Sequence, residues 1–151
     1  MSKQQSPRGI RNNNPGNLRR YTRATPVGYK ADGFWVFPTA TAGLIDLFIL
    51  MRNYYTHLGL KTLPAFISRY APASENDTVL YISRAAQWLP PKPTPIAKRD
   101  LRLDTPNAQI DLARAIIAIE NGIAPPERGF DGEWFSIQLI AGALAVSRGH
   151  I

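Results

Sequence analysis

The stretch Pro106–Gly122, PNAQIDLARAIIAIENG, constrains the fold of this chain more than any other. Thr105 and Pro106 are typical of an N-cap and first helical turn, and Gly122 is a typical helix stop. Between them, apolar residues recur at helical spacing: Ala113, Ile116 and Ile117. The same stripe reaches Glu120. The pattern therefore predicts a helix whose buried face ends in a carboxylate.

A carboxylate in that position points to acid chemistry. Burial disfavours the charged form of Glu120, and the negative end of the helix dipole acts in the same direction. A carboxyl that keeps its proton near neutral pH suits general acid catalysis. Two simpler interpretations are open: Glu120 turns outward at the helix end, or it pairs with a cation such as Arg114.

Length and charge restrict the partner. A chain of 151 residues is the size of one domain, and we expect a flexible segment at residues 1–7 followed by a single domain at residues 8–151. The net charge of +7 favours a polyanionic partner: nucleic acid, anionic lipid or the bacterial cell wall. Without cysteines, and with only His57 and His150, the sequence predicts no metal site and implies no cofactor.

The apolar segments are short. The N-terminus lacks the apolar core of a signal peptide. The longest apolar runs, near Leu44–Met51 and Phe135–Val146, contain polar residues and are too short to span a bilayer. We expect a protein made in the cytoplasm without an export signal.

Asparagines dominate the segment Arg8–Tyr21, RGIRNNNPGNLRRY. Asparagine, proline and glycine favour turns, so we expect an ordered loop rather than a helix. Asparagine amides suit sugar hydroxyls and acetamido groups, although pure turn chemistry would explain them equally well. Five arginines flank the turn and would also suit phosphates: Arg8, Arg11, Arg19, Arg20 and Arg23.

The remaining segments are mostly helical. Asp32-Gly33 predicts a hairpin within residues 27–37. Further helices are predicted from Thr39 or Thr41 to Leu58, from Thr62 to Tyr70, from a cap within Ser74–Thr78 to Trp88, and from Gly132 to Ser147. Glu75 precedes one of these helices, where a carboxylate favours capping or ligand binding over acid catalysis. The proline-rich Leu89–Pro95 is a loop or a hinge between lobes.

Three stretches together resemble lysozyme-like cell-wall glycosidases, namely lytic transglycosylases and bacterial glucosaminidases. They are LARAIIAIENG, NNNPGNLR followed by FWVFPTATAGLIDLFILMRNY, and SRYAPASENDTVLYI. The resemblance implies that Glu120 is the catalytic acid. It also implies a set of sugar-binding residues near a cleft: Asn12, Asn13, Asn14, Asn17, Tyr70, Glu75 and Tyr81.

The segment Arg8–Gly122 also resembles phage and prophage virion-associated proteins that open with an RNNNPGN motif. In the classical enzymes the catalytic helix precedes the asparagine turn, so the resemblance requires a circular permutation. It implies a mainly α, lysozyme-like fold with five or six helices, a small β element and a cleft.

The implied function is cleavage of the β-1,4 glycan backbone of peptidoglycan, with the cell-wall glycan and phage virion proteins as partners. The site of action would be the periplasmic wall. One convincing carboxylate favours a lytic transglycosylase over a hydrolase. Two alternatives remain: a non-catalytic virion structural or wall-binding protein, and a basic nucleic-acid-binding module.

Overall fold

The computed structural model describes residues 6–19 and 30–149, and this part of the chain is mainly α-helical. It contains six α-helices, one short 3-10 helix and one hairpin. The elements are α1 Arg8–Arg11, β1 Lys30–Ala31, β2 Phe34–Trp35, α2 Ala40–Thr56, α3 Leu63–Tyr70, α4 Thr78–Ala86, α5 Pro106–Asn121, the 3-10 helix Pro126–Arg128 and α6 Ile137–Ser147. The predicted mainly α fold is confirmed. None of the described helices is both long and apolar enough to cross a bilayer.

The chain divides into two compact units. The first unit comprises the described residues within Met1–Leu50 and Ile116–Ile151, and the second is Met51–Ala115. Leu89–Pro95 lies inside the second unit, so this proline-rich loop connects parts of one unit. The predicted single domain and cleft stay predictions.

Helix α5 has the predicted bounds. It begins at Pro106 and ends at Asn121, and Gly122 follows with a left-handed φ of 73°. The stripe predicted to be apolar is buried at Ala113, Ile116 and Ile117. Thr105 precedes the helix as predicted for an N-cap. Its hydroxyl, however, donates to the Arg102 carbonyl at 2.7 Å.

The predicted hairpin is present. Lys30 pairs with Trp35 and Ala31 with Phe34, in antiparallel register. Asp32 and Gly33 have positive φ values of 51° and 85°, as a type I′ turn requires at both central positions. Residues 27–29 of the predicted segment lie outside the described residues.

Two helix starts differ from the prediction. A one-turn helix, α1, occupies Arg8–Arg11, where a loop was expected. Helix α6 begins at Ile137 instead of Gly132, because Asp131 and Gly132 are left-handed and the Ser136 side chain caps the helix at Leu139 N, 3.1 Å away.

Helix α4 is capped by Asp77, whose Oδ1 accepts from Leu80 N at 3.0 Å. Glu75 lies two residues before this cap, in the turn where its own backbone N–H donates to the Pro72 carbonyl at 2.9 Å. The helix ends at Ala86, short of the predicted Trp88. The prediction that Glu75 caps this helix is therefore wrong.

Each unit has its own core. In the first unit the largest fully buried side chains include Phe37, Leu44, Leu47 and Phe48. In the second, Phe66 packs against Tyr54 with ring centroids 5.3 Å apart. Burial of such side chains contributes roughly 1.5–3 kcal/mol each.

Candidate active site

The asparagine-rich loop follows helix α1 and is held by its own side chains. Asn14 is fully buried, and its Nδ2 donates to the carbonyls of Leu18 and Trp35 at 3.0 and 2.9 Å. Its Oδ1 accepts from Leu18 N at 2.8 Å. Asn13 Nδ2 donates to the Phe37 carbonyl at 3.1 Å. These two amides therefore build the loop, as the turn-chemistry interpretation predicts.

Asn17 occupies the end of the same loop and faces helix α5. Its φ is 50°, a left-handed conformation that asparagine tolerates better than most residues. Its Nδ2 donates to Glu120 Oε1 at 2.8 Å. Glu120 is half-buried in the last turn of α5. The structure thus brings the predicted acid and one predicted sugar-binding asparagine into direct contact.

Asn121, the next residue along α5, attaches the helix end to the loop a second time. It is 6% exposed, and its Nδ2 donates to the Pro15 carbonyl at 2.8 Å and to the Ile117 carbonyl at 3.0 Å. Sequence reasoning missed this residue. The sequence signal that could have identified it is its position, since Asn121 is a polar amide that directly follows Glu120 at the end of an apolar helix.

Two glycines permit the close approach of these elements. A Cβ on Gly9 would overlap Asn121 Oδ1 and would lie 2.9 Å from the Asn14 carbonyl oxygen. A Cβ on Gly43, in helix α2, would overlap the Asn13 carbonyl oxygen. Both glycines are buried. The asparagine loop is therefore packed between backbone surfaces that leave no room for a methyl group.

Three of the five predicted arginines fall within the described residues. Arg8 and Arg19 place their guanidinium carbons 3.7 and 4.1 Å from the ring centroid of Phe34. Arg11 is exposed, and its Nη1 donates to the Ser6 carbonyl at 2.5 Å. Arg20 and Arg23 lie outside the described residues. The described arginines give the asparagine loop a basic border.

Three of the other predicted sugar-binding residues, Tyr70, Glu75 and Tyr81, lie in the second unit, and Asn12 lies in the first. Tyr70 stacks on Phe66 at 5.9 Å, and its centroid is 6.5 Å from that of Tyr81. Tyr81 is buried and Tyr70 half-buried, whereas Glu75 is exposed. The structure thus joins Tyr70 and Tyr81 in one aromatic row. Asn12 is half-buried, and its carbonyl accepts from Phe37 N at 2.9 Å.

The other carboxylates of the first unit differ from Glu120 in their environment. Asp46 is fully buried in helix α2. Asp32, Glu127 and Asp131 are exposed, whereas Glu133 is half-buried like Glu120. Within residues 6–19 and 30–149, no group of histidines and carboxylates could hold a metal ion. Glu120 combines partial burial with a hydrogen bond from the asparagine loop.

A scan against protein-family models finds no match. The chain is 32% identical over 91 residues to Protein P5 of Pseudoalteromonas phage PM2. The match covers 54% of this chain and 55% of the relative, so the chain spans about half the length of the curated relative that it matches. Over that region the chain is similar to a bacteriophage protein.

Proposed function

We propose that this chain cleaves the β-1,4 glycan backbone of peptidoglycan, with Glu120 as the general acid. The observation that supports this proposal is the hydrogen bond from Asn17 Nδ2 to Glu120 Oε1. The residues on its two sides are 103 positions apart in the chain. The sequence points to each for a separate reason: Glu120 for acid chemistry and Asn17 for sugar recognition.

The bond has a specific chemical use. A protonated carboxyl keeps one oxygen as an acceptor and carries its proton on the other. With Oε1 directed at Asn17, the proton would be carried on Oε2. Asn121 Nδ2 supports this orientation by tying the adjacent backbone to Pro15. Glu120 would then protonate the glycosidic oxygen as its bond to C1 breaks.

The second half of the reaction depends on the number of carboxylates. Hydrolases place a second carboxylate about 5–5.5 Å or about 6.5–9.5 Å from the acid. The other carboxylates of the first unit are the buried Asp46, the half-buried Glu133, which lies in the irregular segment before helix α6, and three exposed side chains. We therefore propose the lytic-transglycosylase route, in which the sugar's own C6 hydroxyl attacks C1 and returns a proton to Glu120. The product is an anhydro-ended muropeptide.

Glu120→Gln tests the acid directly, because it removes the proton and preserves the shape. Cleavage of purified peptidoglycan, followed by turbidity, should fall by about 10²–10⁴-fold. The matched control is Glu127→Gln, the same change at an exposed carboxylate of the same unit, which should retain activity. Activity at the wild-type level in Glu120→Gln would remove Glu120 from the site.

Mass spectrometry of the digest identifies the reaction type. An anhydro product is lighter than the hydrolytic product by one water. A digest that contains only reducing ends would mean hydrolysis and would direct the search for a second carboxylate to Asp32 and Glu133 of the same unit. Wall binding without any cleavage would favour the non-catalytic virion or wall-binding protein.

The arginine border would draw the protein to the anionic wall. Arg11→Gln is the cleanest probe, because Arg8 and Arg19 also pack on Phe34. It should weaken binding to intact walls more than it affects short uncharged glycans, and added salt should have the same effect. Binding to DNA of similar strength and salt dependence would instead favour the nucleic-acid-binding module.

We also propose a place for this chain in a virion, with which its similarity to a phage protein is compatible. In that setting the protein would be made in the host cytoplasm and would act at the periplasmic wall as a particle component. Detection of the chain in purified particles, by antibody or mass spectrometry, tests this part of the proposal. Its absence from the particles would leave a soluble lytic factor as the alternative.

A further inference from the structure

The second unit contains a cavity of about 170 Å³ that the proposed cleavage reaction does not use. Its wall is formed by residues 89–105 and by the first turns of helix α5. Leu101, Leu103 and Leu112 supply an apolar, buried surface. A cavity of ~150 Å³ holds a benzene ring, so this one has room for a small side chain or the end of a peptide.

Asp111 lines this cavity, and its carboxylate has no hydrogen bond or ion pair to any described residue. Its interaction within that part of the chain is electrostatic attraction to Arg114. Burial raises the pKa of the carboxyl, and Arg114 opposes that shift. A half-buried carboxylate with no bonded partner is costly unless a cationic group joins it.

Lys92 lines the same cavity and likewise has no hydrogen bond or ion pair to a described residue. Arg99 also lines the cavity, and its Nη1 donates to the Pro90 carbonyl at 3.0 Å. The cavity therefore presents one carboxylate and two cationic side chains that do not neutralise one another by ion pairing.

The other charged groups of the cavity wall are already engaged. Asp100 accepts from the Tyr55 hydroxyl at 2.6 Å and from Arg102 N at 2.8 Å. The Arg102 guanidinium forms a two-pronged pair with Asp104, at 3.0 Å for each bond. These contacts fix the wall and leave Asp111, Lys92 and Arg99 to meet a ligand.

We propose that this cavity binds the zwitterionic amino-acid end of a peptide, with its ammonium at Asp111 and its carboxylate at Lys92 and Arg99. An aliphatic part of the peptide would cover the buried leucines. The peptide stems of peptidoglycan that contain diaminopimelate carry such an end, because its aliphatic side chain terminates in one carbon that bears both a free ammonium and a free carboxylate. The choice of these stems as the source of the ligand rests on the proposed function. The charge pattern of the cavity is independent of that function.

Calorimetric titration of the full chain with a stem tetrapeptide tests the proposal. The probe is L-alanyl-γ-D-glutamyl-meso-diaminopimelyl-D-alanine, and the control ligand is the same peptide acetylated on the side-chain amino group of diaminopimelate. Asp111→Asn and Lys92→Gln should each weaken binding about tenfold, the size expected for a lost charge-assisted contact. Acetylation should weaken binding to the unmodified protein and have little further effect in Asp111→Asn.

Matched control variants separate charge from position. Lys98→Gln removes an exposed lysine that does not line the cavity, and Glu127→Gln removes an exposed carboxylate of the first unit. Both should bind the tetrapeptide as the wild type does. Absence of binding, or equal binding by all four variants, would overturn the proposal.

The cleavage reaction and the peptide site can be tested independently of each other. Tetrapeptide binding should persist in Glu120→Gln, and Asp111→Asn should still cleave glycan strands stripped of peptides. Binding without cleavage by the wild type would refute the glycosidase function and retain the peptide site. Cleavage without binding would refute the peptide site alone.

Discussion

Gly9→Ala distinguishes local helix propensity from the packing of the asparagine loop. Gly9 belongs to helix α1, where replacing glycine by alanine would ordinarily add about 0.5–1 kcal/mol of stability. Here the new Cβ would overlap Asn121 Oδ1 and lie 2.9 Å from a backbone oxygen of Asn14. The second contact is with backbone, so a side-chain rotation cannot relieve it. The tertiary packing therefore predicts the opposite sign.

The magnitude follows from the groups that must move. Overpacking of a filled interior costs about 1–3 kcal/mol. If Asn121 turns away, its bond to the buried Pro15 is lost, and an unsatisfied buried carbonyl costs about 1–3 kcal/mol. Because part of this crowding can relax and the helix gain opposes it, we expect a net loss of about 2–4 kcal/mol. Urea unfolding followed by circular dichroism measures it.

Gly142→Ala is the matched control. Gly142 lies inside helix α6, is exposed, and would place a Cβ with no atom within 4 Å. It should gain about 0.5–1 kcal/mol. A loss of unfolding free energy in Gly9→Ala together with a gain in Gly142→Ala would support the packing argument. A gain of stability in Gly9→Ala would refute it and would show that the loop yields easily around Asn121.

Two further predictions concern the second unit. Asp77→Ala should cost about 0.5–2 kcal/mol because it removes the cap at Leu80 N, and Glu75→Ala should cost less; equal losses in urea unfolding would contradict the observed cap. Burial, assisted by the hydrogen bond to Asp100, raises the pKa of Tyr55 from 10.0 to about 12. Its contribution to stability should therefore be complete below pH 10 and disappear between pH 10 and pH 12. Phenylalanine cannot ionise, so the free energy of unfolding of Tyr55→Phe should not fall in this way between pH 10 and pH 12. The same pH dependence in the variant and the wild type would refute the prediction.

Local sequence chemistry was sufficient for several elements. Helix α5 could be delimited from Pro106 and Gly122, because the preferences of proline and glycine act within one helical turn. The hairpin followed from Asp32-Gly33 for the same reason, since both residues accept positive φ. These predictions required no knowledge of distant residues.

Other features depended on the competition between neighbours. Among the polar residues of Ser74–Thr78, Asp77 became the cap because the chain turns at Pro72 and the helix begins only at Thr78. Helix α6 starts late because Gly132 and its predecessor are left-handed. Several nearby positions offered similar local chemistry, and the packing of the rest of the chain selected one.

The contact between Asn17 and Glu120 was decided by tertiary structure alone. The sequence identified each residue from its own surroundings, an asparagine turn and the end of an apolar helix. No local preference relates positions that are 103 residues apart. Their meeting depends on the close approach at Gly9 and on Asn121, whose amide binds the loop from the helix end. Composition and periodicity carry no information about such pairings, because they arise only when the loop and helix pack together.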